Sequence, residues 1–115
     1  MRSGDLVFKG QQFHLTKFID AGAVAGDALT HTGEARVGRG ADGAPFVAKC
    51  EKVERDGVAT VAEGGAGYID IATVGTLPLG FQTLVVDGAG KVKVGAGGTR
   101  CFVNIARDGI ANIKI

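Results

Sequence analysis

Apolar and polar residues alternate along this chain in short runs of period two. That is the pattern of strands with one buried face, and not the 3.6-residue period of an amphipathic helix. Between Gln12 and Ile19, Phe13, Leu15 and Lys17 point one way, and His14, Thr16 and Phe18 the other. Between Pro45 and Val53, Phe46, Ala48 and Cys50 share a face against Val47, Lys49 and Glu51. Cys101, Val103 and Ile105 alternate with Phe102 and Asn104, and Ala111, Ile113 and Ile115 alternate with Asn112 and Lys114.

Turn chemistry separates these runs. Four Asp-Gly pairs, at Asp42-Gly43, Asp56-Gly57, Asp87-Gly88 and Asp108-Gly109, suit tight reversals: Gly accepts positive φ and Asp bonds its own backbone. Three hairpins are predicted: Leu84 to Val86 returning on Lys91 to Val94, Cys101 to Ala106 returning on Ile110 to Ile115, and Cys50 to Glu54 returning on Val58 to Ala62. The stretch Ile19 to Ala25 carries two Gly and reads as a loop rather than a helix. Strands spaced about 8–12 residues apart with turns between them predict an all-β fold. The expected form is a single compact antiparallel β-barrel or β-sandwich with short hairpins. Residues 1–9 are expected to form an N-terminal arm or first strand, and residues 10–115 one β domain.

Composition adds a constraint on the core. Gly accounts for 20 of 115 residues, against a usual share of about 7%. Six Phe, one Tyr and no Trp leave a core made of small side chains. Such a monomer is expected to be only moderately stable by itself and to gain from partners or self-association.

Charge and cysteine narrow the function classes. A net charge of +1 creates no broad field for nucleic acid or anionic lipid. Lys49, Lys52 and Arg55 are interspersed with Glu51, Glu54 and Asp56, which makes a solvated mixed-charge face. The N-terminal residues carry no apolar run of signal-peptide length, and no stretch approaches the ~18 apolar residues of a membrane span, so the expectation is synthesis in a cytoplasm. Cys50 and Cys101 have no CxxC partner and are expected to be reduced, buried thiols; with His14 and His31 they fit no zinc spacing.

The candidate chemical motifs reduce to turns. Gly38-Arg39-Gly40-Ala41-Asp42-Gly43 matches GxGxxG, but Pro45 and a strand pattern follow where a dinucleotide site needs a helix. Gly88-Ala89-Gly90-Lys91 lacks the first Gly and the Ser or Thr of a phosphate loop. Ser3 is the only serine, both Cys lie in apolar strands, and no pair of carboxylates has glycosidase or calcium-loop spacing. The aromatic residues are not interleaved with Lys or Arg along the chain, which argues against a single-strand nucleic-acid platform; Phe8, Phe13 and Phe18 read as core or interface packing.

Two motifs stand out together: the strand start Val24-Ala25-Gly26-Asp27-Ala28-Leu29, and the segment from Gly80 through Leu84-Val85-Val86-Asp87-Gly88-Ala89-Gly90-Lys91-Val92, which precedes a final hairpin. In this Gly- and Ala-rich all-β setting the chain, from roughly Gly4 to Ile115, resembles the small capsid cement, or head decoration, proteins of tailed bacteriophages. The resemblance implies a non-enzymatic virion protein on the outer surface of a phage head, assembled in the host cytoplasm. It implies the major capsid protein and further copies of itself, with a trimer favoured, as partners. It carries over no catalytic residue, and with the charge, hydropathy and spacing above the expectation is no nucleic acid, membrane, cofactor or metal. By analogy, capsid contacts are expected on the arm, at Arg2, Leu6, Val7 and Phe8, and on the loop Gly38 to Pro45, at Arg39 and Asp42; the arm offers an added strand for a neighbour's sheet edge. The alternatives are another phage structural β-module, such as a tail, spike or head-fibre base, and a small β-barrel enzyme or ligand-binding domain with polar groups converging near His14, His31 or Cys50.

Overall fold

The computed structural model describes residues 14–64 and 67–115. The first five strands, β1 (His14–Ile19), β2 (Ala28–Gly33), β3 (Arg36–Gly38), β4 (Ala48–Val53) and β5 (Val58–Ala62), close into a barrel in the order β1-β3-β2-β4-β5. The next five, β6 (Tyr68–Ala72), β7 (Gly80–Val86), β8 (Val92–Val94), β9 (Thr99–Arg107) and β10 (Ile110–Lys114), form a second sheet in the order β6-β10-β9-β7-β8. The all-β reading holds, and the architecture combines both expected forms: a small barrel with a separate sheet against it. One ladder departs from antiparallel pairing. β1 runs parallel to β3, with Phe18 opposite Arg36 and Ile19 opposite Val37, while its other edge closes the barrel antiparallel to β5.

The three predicted hairpins are present as β4–β5, β7–β8 and β9–β10. The first turns through a short 3₁₀ segment at Arg55–Gly57, and the third carries a bulge where Asn112 faces Ile105 and Ile113 faces Val103. Residues 20–27 are a loop with turns, as the two glycines there imply.

Alternation decides the core. On β4, Ala48 and Cys50 are buried while Lys49 and Glu51 are half-buried; on β10, Ala111 and Ile113 are buried while Lys114 is exposed. Ile19, Leu29, Val37, Ala48, Cys50, Ala59 and Val61 fill the barrel. A second core joins Ala28, Phe46 and Ala62 to Ile69, Ile71, Leu77, Leu84, Val86, Val92, Cys101, Val103, Ala111 and Ile113. Both are built from Ala, Val, Ile and Leu with one Cys each, and Phe46 is the largest fully buried side chain. On β1 the expected half-buried pattern fails: Leu15 and Phe18 are exposed and Ile19 is its buried apolar residue. A barrel of five short strands has an interior too narrow for more side chains than those already supplied by β2 to β5.

The connection between β3 and β4 joins the two halves. Val86 N–H donates to Ala44 C=O (2.8 Å), Gly43 N–H to Val86 C=O (2.9 Å) and Phe46 N–H to Leu84 C=O (3.2 Å), while Val47 N–H donates back into the barrel at Leu29 C=O (2.9 Å). This stitching carries Phe46 into the second core. The GxGxxG match lies at the end of β3 and in this connection, with no helix after it.

Candidate interaction surface

The two motifs behind the family resemblance meet in space. The strand start places Asp27 at the mouth of β2, 7% exposed, where its Oδ2 accepts from Val24 N–H (2.8 Å) and from Arg39 Nε (2.7 Å). The next residue, Ala28, donates its N–H to Gly90 C=O (2.8 Å) in the β7–β8 turn. That turn is organised by Asp87, whose Oδ1 accepts from Ala89 N–H (2.7 Å) and Lys91 N–H (3.0 Å). Partial burial, the largest single influence, pushes the Asp87 carboxyl up. The backbone donors and the Lys91 charge together outweigh it and leave the pKa below the ordinary carboxylate value. The hydrogen bond and charge of Asp27 raise the Arg39 guanidinium further above its already high value.

Both loop residues expected to contact a partner are therefore used internally. Arg39 pairs with Asp27, and Asp42 pairs with Lys93 Nζ (2.5 Å) across to β8. Their side chains remain partly accessible, that of Asp42 more so. Arg2, Leu6, Val7 and Phe8 lie outside the described residues. Of the histidines weighed for chemistry, His31 stands exposed within β2. The cysteines are free and sit in different cores, Cys50 in the barrel and Cys101 in the second core. Burial pushes the Cys50 thiol up, with Asp27 and Glu51 adding to the effect, and pushes Cys101 up to about 11. Both stay protonated near neutrality, which makes them poor nucleophiles.

The outer face of the second sheet carries a feature the linear pattern concealed. Tyr68 lies opposite Lys114, Lys114 opposite Phe102, and Phe102 opposite Phe81. One cross-strand row thus runs Tyr68, Lys114, Phe102, Phe81 over β6, β10, β9 and β7. The Phe81 and Phe102 rings meet edge to face, centroids 5.1 Å apart at 67°, and the Arg100 guanidinium lies over the Phe81 ring, 4.4 Å from its centroid. These side chains and Ile115 line an open hollow of about 430 Å³. Phe81 is 62% exposed and Tyr68 52%. Farther along the same face a polar ladder follows, in which Asn104 Nδ2 donates to Asn112 Oδ1 (3.1 Å) and Asn112 Nδ2 donates to Asp70 Oδ1 (2.9 Å). Beyond it Ile110 and Ile105 are exposed.

Aromatic and cationic residues are therefore interleaved in space although they are not in sequence, which corrects the linear reading. The signal available was parity. Phe102 and Lys114 occupy the polar phase of strands whose other phase is Cys101, Val103, Ala111 and Ile113. An aromatic residue on the polar phase faces away from the core. The face offers contact chemistry: apolar area, two cations and a fixed backbone. Among the described residues, no group of three or more His, Cys, Asp or Glu side chains is gathered as a metal site. No known family model matches the chain, and no curated protein sequence matches it.

Proposed function

We propose that this chain is a structural, non-enzymatic protein of a tailed-phage head, which binds the outside of the capsid and braces neighbouring major capsid subunits as a cement or decoration protein. The observation that carries this reading is the outward row Tyr68, Lys114, Phe102 and Phe81, with Tyr68 and Phe81 exposed, held on a five-stranded sheet whose other face supplies most of the second core. Large aromatic side chains left in water on a rigid sheet are the material of protein interfaces, where Tyr, Phe and Arg are enriched. The family resemblance supports the choice of partner. Its two motifs are adjacent here and serve to lock the barrel to the second sheet, which suits a protein that must transmit load through a small body. On a lattice of identical sites each contact needs little affinity, because many act together.

In this proposal the aromatic face is the main contact, and the arm residues Arg2, Leu6, Val7 and Phe8 add to it. Arg39 serves as scaffold through Asp27, and Asp42, the more accessible of the two, adds to the contact. Self-association, with a trimer favoured, belongs to the same proposal. The test is co-sedimentation with expanded, empty phage heads, read as copies bound per major capsid subunit. A fixed saturating ratio is expected, reduced several-fold by the double variant Phe81→Ala/Phe102→Ala. No binding to heads, or binding untouched by that variant, overturns the assignment of this face.

A further inference from the structure

From the chemistry of the hollow between Tyr68 and Phe81 we infer that the partner presents a peptide segment carrying a carboxylate next to a large apolar side chain. This rests on the proposed head-binding role and specifies what that face recognises. The hollow is lined by Tyr68, Phe81, Phe102 and Ile115 together with Arg100 and Lys114, two cationic side chains and no acidic one. Lys114 stands between Tyr68 and Phe102 in the cross-strand row. The Arg100 guanidinium lies over the Phe81 ring, 4.4 Å from its centroid, a cation–π contact that holds it at the hollow. Lys114 and Arg100 both line the hollow, so a carboxylate seated there meets cationic donors, and an apolar side chain beside it has the Phe102 and Tyr68 rings to pack on. The volume of about 430 Å³ suits a few side chains and not a large cofactor.

A single-stranded nucleic acid shares the taste for aromatic and cationic groups, and the geometry disfavours it. Base stacking on successive rings needs several open faces, and with Arg100 over Phe81 and Phe102 edge to face with Phe81, Tyr68 is the ring left for it. Phosphate binding draws on many cations, yet the Asp70 carboxylate stands in the neighbouring ladder and the whole chain carries a net charge of +1.

Tyr68 makes the test direct. It is the only tyrosine of a chain without tryptophan, so ultraviolet-excited emission of the intact protein comes from this hollow. The probes are the blocked peptide acetyl-Gly-Asp-Leu-Phe-Gly-amide, its Asn counterpart, and an eight-residue thymidine oligonucleotide. Saturable change in Tyr68 emission is expected with the Asp peptide. Binding should weaken about three- to fivefold for the Asn peptide, and by a similar factor in Arg100→Gln or Lys114→Gln, since an exposed ion pair contributes of order a few-fold. Both variants change exposed side chains, and far-UV circular dichroism confirms their fold. Equal binding of the Asp and Asn peptides, tighter binding of the oligonucleotide, or no Tyr68 response to the Asp peptide overturns the inference. Heads that bind Arg100→Gln as well as the parent leave the head-binding role standing and remove this one. Peptide binding by a chain that ignores heads does the reverse.

Discussion

Replacing Gly90 with Ala tests whether the two halves of the molecule are locked at the Asp27 joint. Gly90 sits at φ +97°, and a methyl group there would run into the Asp27 carboxylate. Two penalties combine. An L side chain at that φ costs about 1–2 kcal/mol. Displacing the carboxylate also breaks its hydrogen bond from Val24 N–H (2.8 Å), and a bond to a charged acceptor in a largely buried site is worth about 1.5–3 kcal/mol. The expected loss is therefore about 3–5 kcal/mol, a large part of the ~5–15 kcal/mol that holds a domain of this kind. Gly26→Ala is the matched control. Its φ of +94° imposes the same backbone strain, but nothing lies within 4 Å of the added methyl, so its loss should stay near 1–2 kcal/mol. Guanidinium unfolding followed by far-UV circular dichroism measures both. If Gly90→Ala costs no more than Gly26→Ala, the Asp27 contact contributes nothing beyond local strain, and the lock as described is wrong.

Three further outcomes follow from the same structure. Asp87 has its folded pKa below the ordinary 3.8, so it stabilises the fold above that pH and the contribution fades as pH falls below it. Asp87→Ala should therefore lose about 1 kcal/mol at pH 7, through the two turn hydrogen bonds, and show a flatter acid limb in a pH series of denaturation midpoints. Cys101 keeps its proton to about pH 11 when folded against 9.0 when exposed, so stability should decline between those values and Cys101→Ala should flatten that decline. Correspondingly, neither thiol should react with a disulfide reagent at pH 8 until the protein is unfolded. Phe81→Ala should change stability by no more than about 1 kcal/mol in the same unfolding assay, because the exposed ring contributes mainly its contacts with Arg100 and Phe102.

The fold class was legible because strand alternation and Asp-Gly turns are local. Leu84 to Val94 and Cys101 to Ile115 could be paired without knowing anything else about the chain. Non-local pairing was not legible. Nothing in the sequence of β1 announces that it lies parallel to β3, or that a second sheet stands apart from the barrel, because neither ladder is encoded by a turn. The exposed Leu15 and Phe18 show the same limit, since apolar identity does not say how much interior a five-stranded barrel has to offer. Asp27 reads in sequence as one more turn carboxylate. Its burial depends on Arg39, twelve residues away, and on Gly90, which belongs to the other half of the molecule. The aromatic row required four strands to come into register before Tyr68, Phe102 and Phe81 became one feature.

The bracing role itself is tested most directly by heating DNA-filled heads that lack the protein, with and without saturating amounts of the purified chain, and recording the temperature at which DNA escapes. Added protein should raise that temperature, and the Phe81→Ala/Phe102→Ala form should fail to do so while remaining folded. An escape temperature unchanged by the bound parent protein would contradict a bracing function altogether.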